Sequence, residues 1–123
     1  MFVYVLEIEP DGTVRYVTEG MLRALHRKLS PCPPNHRTTW PWRSFARADA
    51  KPLTLGAPEL MTFALLPTSW MFRVGSRIRI AISGADADHY VQVPHGRPPR
   101  LTICRGGDKG SFIDLPLNPA SRD

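Results

Sequence analysis

Histidines and a pair of nearby aspartates are the residues of this sequence whose types could perform acid–base chemistry. The four histidines are His26, His36, His89 and His95. Asp86 and Asp88 lie close to His89, but a Ser–His–Asp triad also needs a serine brought into contact with the histidine. Ser83 and Ser111 each adjoin a glycine at a predicted strand end, and the G-x-S-x-G nucleophile elbow is absent from the sequence. We therefore predict no catalytic residue and interpret the aspartate-rich segment as a polar loop.

Metal and cofactor sites have no support in the residue spacing. The sequence lacks the H-x-x-x-H, H-E-x-x-H and C-x-x-C patterns, and its Asp-x-Asp segment lacks the glycine and glutamate of a calcium loop. The glycine-rich segment Arg105–Gly110 lacks the order of a phosphate-binding loop, and no predicted helix follows it. Cys32 and Cys104 are isolated, so we expect free, reduced thiols. The sequence predicts no metal ion and no cofactor.

The basic and aromatic residues are the ones that could bind nucleic acid or sugar. Lysine and arginine number 16 against 11 aspartates and glutamates, giving a net charge of +5, and the basic residues are dispersed. Arg77 and Arg79 share a predicted strand face without interleaved aromatic residues, so we expect a solvent or interdomain face and no nucleic-acid partner. Trp40 and Trp42 in a proline-rich loop either form a sugar-stacking platform or pack against the loop itself.

Length and proline content predict a single domain without long helices. The sequence has 123 residues, enough for one hydrophobic core, and 13 of them are prolines. The apolar stretches are too short to cross a membrane, and the first residues lack the pattern of a signal peptide. We expect no membrane partner and a cytoplasmic location.

Short strands separated by turn residues predict an all-β sandwich or barrel. We expect about six or seven strands and proline-rich loops over about 29–43 and 84–100. A hairpin turn is predicted at Pro10-Asp11-Gly12, and Gly20 is expected to end the second strand. A helix is the rival interpretation for residues 59–66, and residues 21–25 could form a strand or a turn of helix. The clearest strand candidates are Phe2–Glu9, Thr13–Val17, Glu59–Leu66, Arg77–Ser83, Leu101–Cys104 and Ser111–Leu117.

Alternation along the strands predicts which side chains form the core. Ile78, Ile80 and Ile82 point one way from their strand, and we expect them to pack with Leu6, Ile8 and Phe63. Glu7 and Glu9 share the opposite face of the first strand. On this assignment the substitution Ile80→Asp should be severely destabilising, because it buries a charge.

Three ordered stretches carry a resemblance to a known family. The first runs from Val3 to Gly12 and continues through Tyr16–Arg23, and the second contains Arg43–Asp49 followed by Pro67–Asp86. The third is Ser111–Leu117. Together they resemble the C-terminal, non-catalytic domain of the cocaine esterase / X-Pro dipeptidyl-peptidase family of serine hydrolases, over nearly the whole sequence.

The resemblance implies a jelly-roll β-sandwich, similar to galactose-binding domains, that packs against an α/β-hydrolase domain and helps shape its active-site cleft. Family members hydrolyse esters or amides, including X-Pro dipeptides, with a triad in the hydrolase domain, so no catalytic residue is carried over. The family domain has strands upstream of Val3, which implies a partial domain, residues 1–123, that lacks its first strands. Its open sheet edges would then be covered by a hydrolase domain, in the same polypeptide or as a separate chain, or by self-association. A stand-alone module that binds a carbohydrate or another small ligand is the alternative.

Overall fold

The computed structural model describes residues 1–91, 96–97 and 100–118, and its regular structure is an antiparallel sheet of three strands. The strands are β1 (Phe2–Ile8), β2 (Val14–Met21) and β3 (Arg77–Ser83), in the order β2-β1-β3. Two short 3₁₀ turns, Ala24–His26 and Arg47–Asp49, are the helical segments of the described residues. The content is consistent with the all-β class, and the jelly-roll arrangement stays a prediction.

The hairpin between β1 and β2 forms where the turn residues predict it. The amide of Gly12 donates to the carbonyl of Glu9 at 2.9 Å, and the amide of Thr13 donates to the Asp11 carboxylate at 2.8 Å. Gly12 adopts φ +89°, a conformation that costs a glycine little. This turn fixes the register that places Glu7 opposite Arg15.

Gly20 does not end β2, contrary to the sequence prediction. It pairs with Val3 inside the strand, which continues to Met21. A Cβ atom at this position would lie 2.6 Å from the carbonyl oxygen of Ala64. The glycine therefore allows the main chain of residues 64–66 to cross closely over β2, and it serves packing rather than chain reversal.

Three predicted strands are not formed, namely residues 59–66, 101–104 and 111–117. The segment 59–66, which is not a helix either, contributes one main-chain hydrogen bond to β2, from the Leu66 amide to the Glu19 carbonyl at 2.7 Å. Residues 104 and 111 are joined by one such bond, at 2.9 Å, across a glycine-rich turn. Strand propensity depends on a neighbouring edge and a covered face, and these segments have no such ladder among the described residues.

The isoleucines of β3 are not buried, which corrects the predicted core. Ile78, Ile80 and Ile82, here called the isoleucine row, are 44%, 38% and 43% exposed. The row lies on the same face as Val5, which is 1% exposed, because Val5 pairs with Ile80. Ile8 is buried at 4% exposure, but Leu6 and Ile8 pair with Arg79 and Arg77 and so lie on the face opposite the isoleucine row, contrary to the prediction. The buried apolar side chains of the described residues are Val5, Ile8, Val17 and Leu22.

Polar side chains join distant parts of the segment between β2 and β3 to one another. The guanidinium of Arg27 donates to the main-chain carbonyls of Ala24 and Lys51 and to the carboxylate of Glu59. Arg43 is buried, and its guanidinium donates to the carbonyl of Thr62. No helix or strand lies between residues 27 and 46, and the described residues of 84–100 contain no strand.

The close approach at Gly20 makes a test of this packing. We expect Gly20→Ala to lower the free energy of unfolding by about 1–3 kcal/mol, because the added methyl group must displace the main chain of residues 64–66. Urea denaturation followed by circular dichroism measures this. Gly84→Ala is the matched control, since its added Cβ would meet only a leucine methyl group at 3.6 Å. Equal midpoints for the two variants would contradict the packing role of Gly20.

Candidate functional site

Two polar clusters lie on the sheet. The first, here called the glutamate cluster, joins Glu7 and Glu9 of the β1 end to Arg15, Trp70 and Arg73. Both glutamates are buried, and Glu7 is 1% exposed. A buried carboxylate requires several donors to offset its lost hydration. The cluster therefore fixes the path of the chain between β2 and β3, because that segment supplies the donors Trp70 and Arg73.

Glu7 receives hydrogen bonds from two points of one segment. The indole Nε1 of Trp70 donates to one carboxylate oxygen at 2.9 Å, and the amide of Arg73 donates to the other at 2.7 Å. The Arg73 amide, more than the Trp70 indole, holds the pKa of Glu7 below its usual value of 4.5. Glu7 is therefore a charged anchor for the main chain that leads into β3.

Glu9 joins the hairpin to the same segment. One of its carboxylate oxygens accepts a hydrogen bond from Nε of Arg15 on β2, and the other accepts one from Nη1 of Arg73 at 3.1 Å. The two arginines, half-exposed themselves, thus share one buried carboxylate. Such a bridge cross-links residues far apart in the sequence without a disulfide.

An open cleft of about 320 Å³ adjoins the glutamate cluster. Glu7, Arg15, Trp70 and Arg73 line it together with Ser69 and Met71. The carboxylate and indole groups on its wall are already hydrogen-bonded to one another. The geometry therefore supports an anchoring role for these groups.

The second cluster, here called the aspartate cluster, forms at the opposite end of β1. The hydroxyl of Tyr4 donates to Oδ2 of Asp86 at 2.7 Å, and Nδ1 of His89 lies 3.1 Å from Oδ1 of the same carboxylate. The amides of Asp88 and His89 also donate to Asp86, each at 3.2 Å. Nearby, the ring of Tyr90 packs on Phe2 with centroids 4.9 Å apart.

The charge of Asp86 shifts the pKa values of its neighbours. The Tyr4 hydrogen bond is the largest cause of a lowered pKa of Asp86, and in return Asp86 raises the pKa of His89 above 6.5. Partial burial, with a further effect of Asp86, raises the pKa of Tyr4 to about 12. The imidazole is thus oriented by a carboxylate, as in a hydrolase triad.

A nucleophile is missing from the aspartate cluster as the structure describes it. The hydroxyl of Ser83 donates to the carbonyl of Ala85 at 2.5 Å, so it is engaged away from His89. Ser111 has a main-chain bond to Cys104 and no side-chain contact with the histidine. Of the predicted candidate residues, the structure brings together Asp86 and His89 without a serine. His95 lies outside the described residues.

The remaining candidate residues are dispersed. Trp40 is exposed, whereas Trp42 packs against His36 with ring centroids 4.8 Å apart, so the two indoles form no common platform within the described loop. Cys32 and Cys104 are free thiols. Within residues 1–91, 96–97 and 100–118, no group of three potential metal ligands is assembled. No helix of this part is long and apolar enough to cross a membrane.

Comparison with known proteins places the chain in a family of hydrolase-associated domains. Residues 1–105 match the family described as the X-Pro dipeptidyl-peptidase C-terminal non-catalytic domain, and the chain belongs to this family. The resemblance drawn from the ordered motifs is confirmed.

Two mycobacterial proteins are similar to this chain over almost all of its length. They are named "Putative serine esterase", one from Mycobacterium bovis and one from Mycobacterium tuberculosis, and each is 50% identical over 116 residues. The match covers 94% of this chain but 18% of each relative, so the chain spans about a fifth of their length. No solved structure matches the chain significantly.

Sequence reasoning missed the glutamate cluster. The sequence did carry a signal for this cluster. Glu7 and Glu9 occupy alternate positions of a predicted strand rich in β-branched and aromatic residues, and the hairpin turn places Arg15 opposite Glu7. The donors from Trp70 and Arg73 could not be found this way, since they come from more than 60 residues further along the chain.

Replacing Trp70 tests the anchor. We expect Trp70→Phe to lower the free energy of unfolding by about 1 kcal/mol, because the ring is kept while the donor to the buried carboxylate is lost. Urea denaturation measures the loss. Trp40→Phe is the matched control, since Trp40 is exposed and its indole donates no hydrogen bond to any described residue. An equal loss of unfolding free energy in Trp70→Phe and Trp40→Phe would contradict the anchoring role of Trp70.

The stability that Glu7 contributes should depend on pH, which acid denaturation can measure. Because the folded pKa of Glu7 is lowered, its stabilising effect is complete above the unfolded value of 4.5 and is lost as pH falls through the folded pKa. We expect Glu7→Gln to be less stable than the parent near neutrality, and the gap to narrow in acid. Urea midpoints measured from pH 3 to pH 7 check this, and a gap independent of pH would contradict it.

The aspartate cluster predicts a proton-binding difference at His89. We expect the pKa of His89 to lie above 6.5 and to return to about 6.5 in Asp86→Asn, because the neighbouring negative charge is removed. The stability that the Asp86–His89 interaction adds to the folded chain is complete below the unfolded pKa of His89. It is lost as pH rises through the folded pKa of His89. A titration of the imidazole by NMR, assigned with His89→Gln, measures both values. An unchanged His89 pKa in Asp86→Asn would rule out the interaction.

Proposed function

We propose that this chain is a non-catalytic, β-rich accessory module of a serine hydrolase of the ester hydrolase or X-Pro dipeptidyl-peptidase type. Two findings together carry the proposal: the family to which the chain belongs, and the share of its relatives' length that it covers. The chain matches a family of non-catalytic domains, and it corresponds to about a fifth of proteins named as serine esterases. A module of this kind acts by packing on the catalytic domain.

The proposed role is to help shape the cleft in which the hydrolase binds its substrate. The glutamate cluster supports this role, because it holds Trp70 and Met71 at the rim of an open cleft with Met71 88% exposed. Large apolar side chains presented from an anchored segment suit contact with another domain. A module that lines the cleft of the hydrolase would then affect substrate binding without supplying a catalytic group.

Binding of a carbohydrate or small ligand stays the alternative. It was based on Trp40 and Trp42, and one of these packs on His36 within its own loop. The geometry adds no observation that favours this function over the accessory role. Titration with simple sugars, followed by tryptophan fluorescence, would reveal it.

The test of the accessory role uses the M. tuberculosis relative as a whole protein. In one variant this chain replaces the matching region, and in a second that region is replaced by a flexible polar linker. Hydrolysis of p-nitrophenyl acetate and of glycyl-prolyl-p-nitroanilide distinguishes ester from X-Pro chemistry. We expect the first variant to keep most of its activity and the second to lose at least about tenfold in kcat/KM, which is about 1.4 kcal/mol of transition-state stabilisation.

Two controls make the result specific. The isolated chain should hydrolyse neither substrate, and the linker variant must retain its secondary structure by circular dichroism. Full activity in a folded linker variant would show that the module does not shape the cleft. Hydrolysis by the isolated chain, abolished by Ser111→Ala or Ser83→Ala, would contradict the non-catalytic role itself.

A further inference from the structure

Met71 is the most exposed methionine of the described residues. It is 88% exposed at the rim of the open cleft, whereas Met1, Met21 and Met61 are half-buried. The sulfur of Met21 also accepts a hydrogen bond from the hydroxyl of Tyr90 at 2.7 Å. A thioether is oxidised through a lone pair of its sulfur, so access from solvent decides which methionine reacts. Met71 is therefore the thioether that a peroxide in solution reaches first.

The main chain is anchored on both sides of Met71. The indole of Trp70 and the amide of Arg73 donate to the carboxylate of Glu7, at 2.9 Å and 2.7 Å. The backbone at Met71 therefore has little freedom, while the unbranched side chain keeps its rotatable bonds. A chemical change at the sulfur is then answered by rotation of the side chain, and the main chain stays in place.

Two arginines of the same cleft have unused donors. Arg15 donates to Glu9 through Nε and Arg73 donates to it through Nη1, and their other guanidinium nitrogens donate to no described residue. Both side chains are half-exposed and line the cleft together with Met71. A thioether is only a weak acceptor, so reduced Met71 leaves these donors to water. A stronger acceptor on the same side chain would find several N–H groups in the cleft.

We propose that Met71 is an oxidation site whose sulfoxide is bound in the cleft by Arg15 and Arg73. Hydrogen peroxide supplies the oxygen. The sulfur lone pair attacks one peroxide oxygen, the O–O bond breaks, and water leaves as methionine sulfoxide forms. The sulfur thus loses an electron pair that the peroxide gains. The sulfoxide oxygen is a strong acceptor, and the free guanidinium nitrogens donate to it.

Oxidation of Met71 changes the character of the cleft rim. The reduced side chain presents an apolar group to solvent, whereas the sulfoxide is polar and turns inward to the arginines. The hydrogen bonds of Glu7 to Trp70 and Arg73 are untouched, so the fold is kept. Neither the oxidation nor the inward turn depends on the proposed accessory function.

Peptide mapping of the whole chain tests the oxidation site. The chain is treated with dilute hydrogen peroxide, digested at successive times and analysed by mass spectrometry. We expect Met71 to be oxidised at least about fivefold faster than Met21 or Met61, because exposure governs the rate. In concentrated urea the three rates should become equal. Oxidation of Met71 no faster than that of Met21 or Met61 in the folded chain would overturn the proposed site.

NMR of the arginine Nε–H groups tests binding of the sulfoxide in the cleft. We expect peroxide to shift the signals of Arg15 and Arg73, which are assigned with Arg15→Lys and Arg73→Lys. Met71→Gln, whose amide oxygen is an acceptor of similar reach, should shift the same signals without peroxide.

Met71→Leu is the matched control, because it keeps an apolar side chain of similar size and has no sulfur to oxidise. Its arginine signals should not respond to peroxide. An equal response in Met71→Leu would assign the shifts to oxidation at another residue. Unchanged signals of Arg15 and Arg73 in the parent, once mapping shows Met71 oxidised, would refute binding of the sulfoxide by these arginines.

Discussion

The burial of two carboxylates at the end of β1 is the constraint on which the rest of this structure depends. Glu7 and Glu9 sit at the end of β1 and must be supplied with donors, since an unpaired buried charge is far costlier than any single contact in so small a sheet. Arg15 supplies a donor from the hairpin, and Trp70 and Arg73 supply the others from the approach to β3. The same bonds therefore set the direction from which β3 joins the sheet.

Local chemistry explains why parts of this fold could be predicted from sequence. The turn at Pro10-Asp11-Gly12 and the alternation of Arg77–Ser83 are encoded within a few residues, and both form as predicted. The behaviour of Gly20 was not predictable, because it depends on a carbonyl oxygen 44 positions away. The resemblance to a hydrolase-associated family came from the order of several motifs, each weak alone.

The isoleucine row shows where alternation stops being informative. Periodicity identified the apolar face of β3 correctly, but it cannot tell whether that face is covered by the same chain or by another. The predicted strands 101–104 and 111–117 fail for a related reason, since strand propensity is realised only beside an available edge. At the candidate sites, Asp86 and His89 are near neighbours in the sequence and their contact is local, whereas the glutamate cluster is assembled from distant segments.

The partial closure of β2 by Leu66 has a consequence for how this sheet can grow. A sheet with two free edges can recruit strands at both sides and propagate into fibres, as unprotected edges do in aggregating proteins. Here the Leu66 amide occupies the Glu19 carbonyl at the outer edge of β2, so a strand arriving at that side would have to displace residues 64–66.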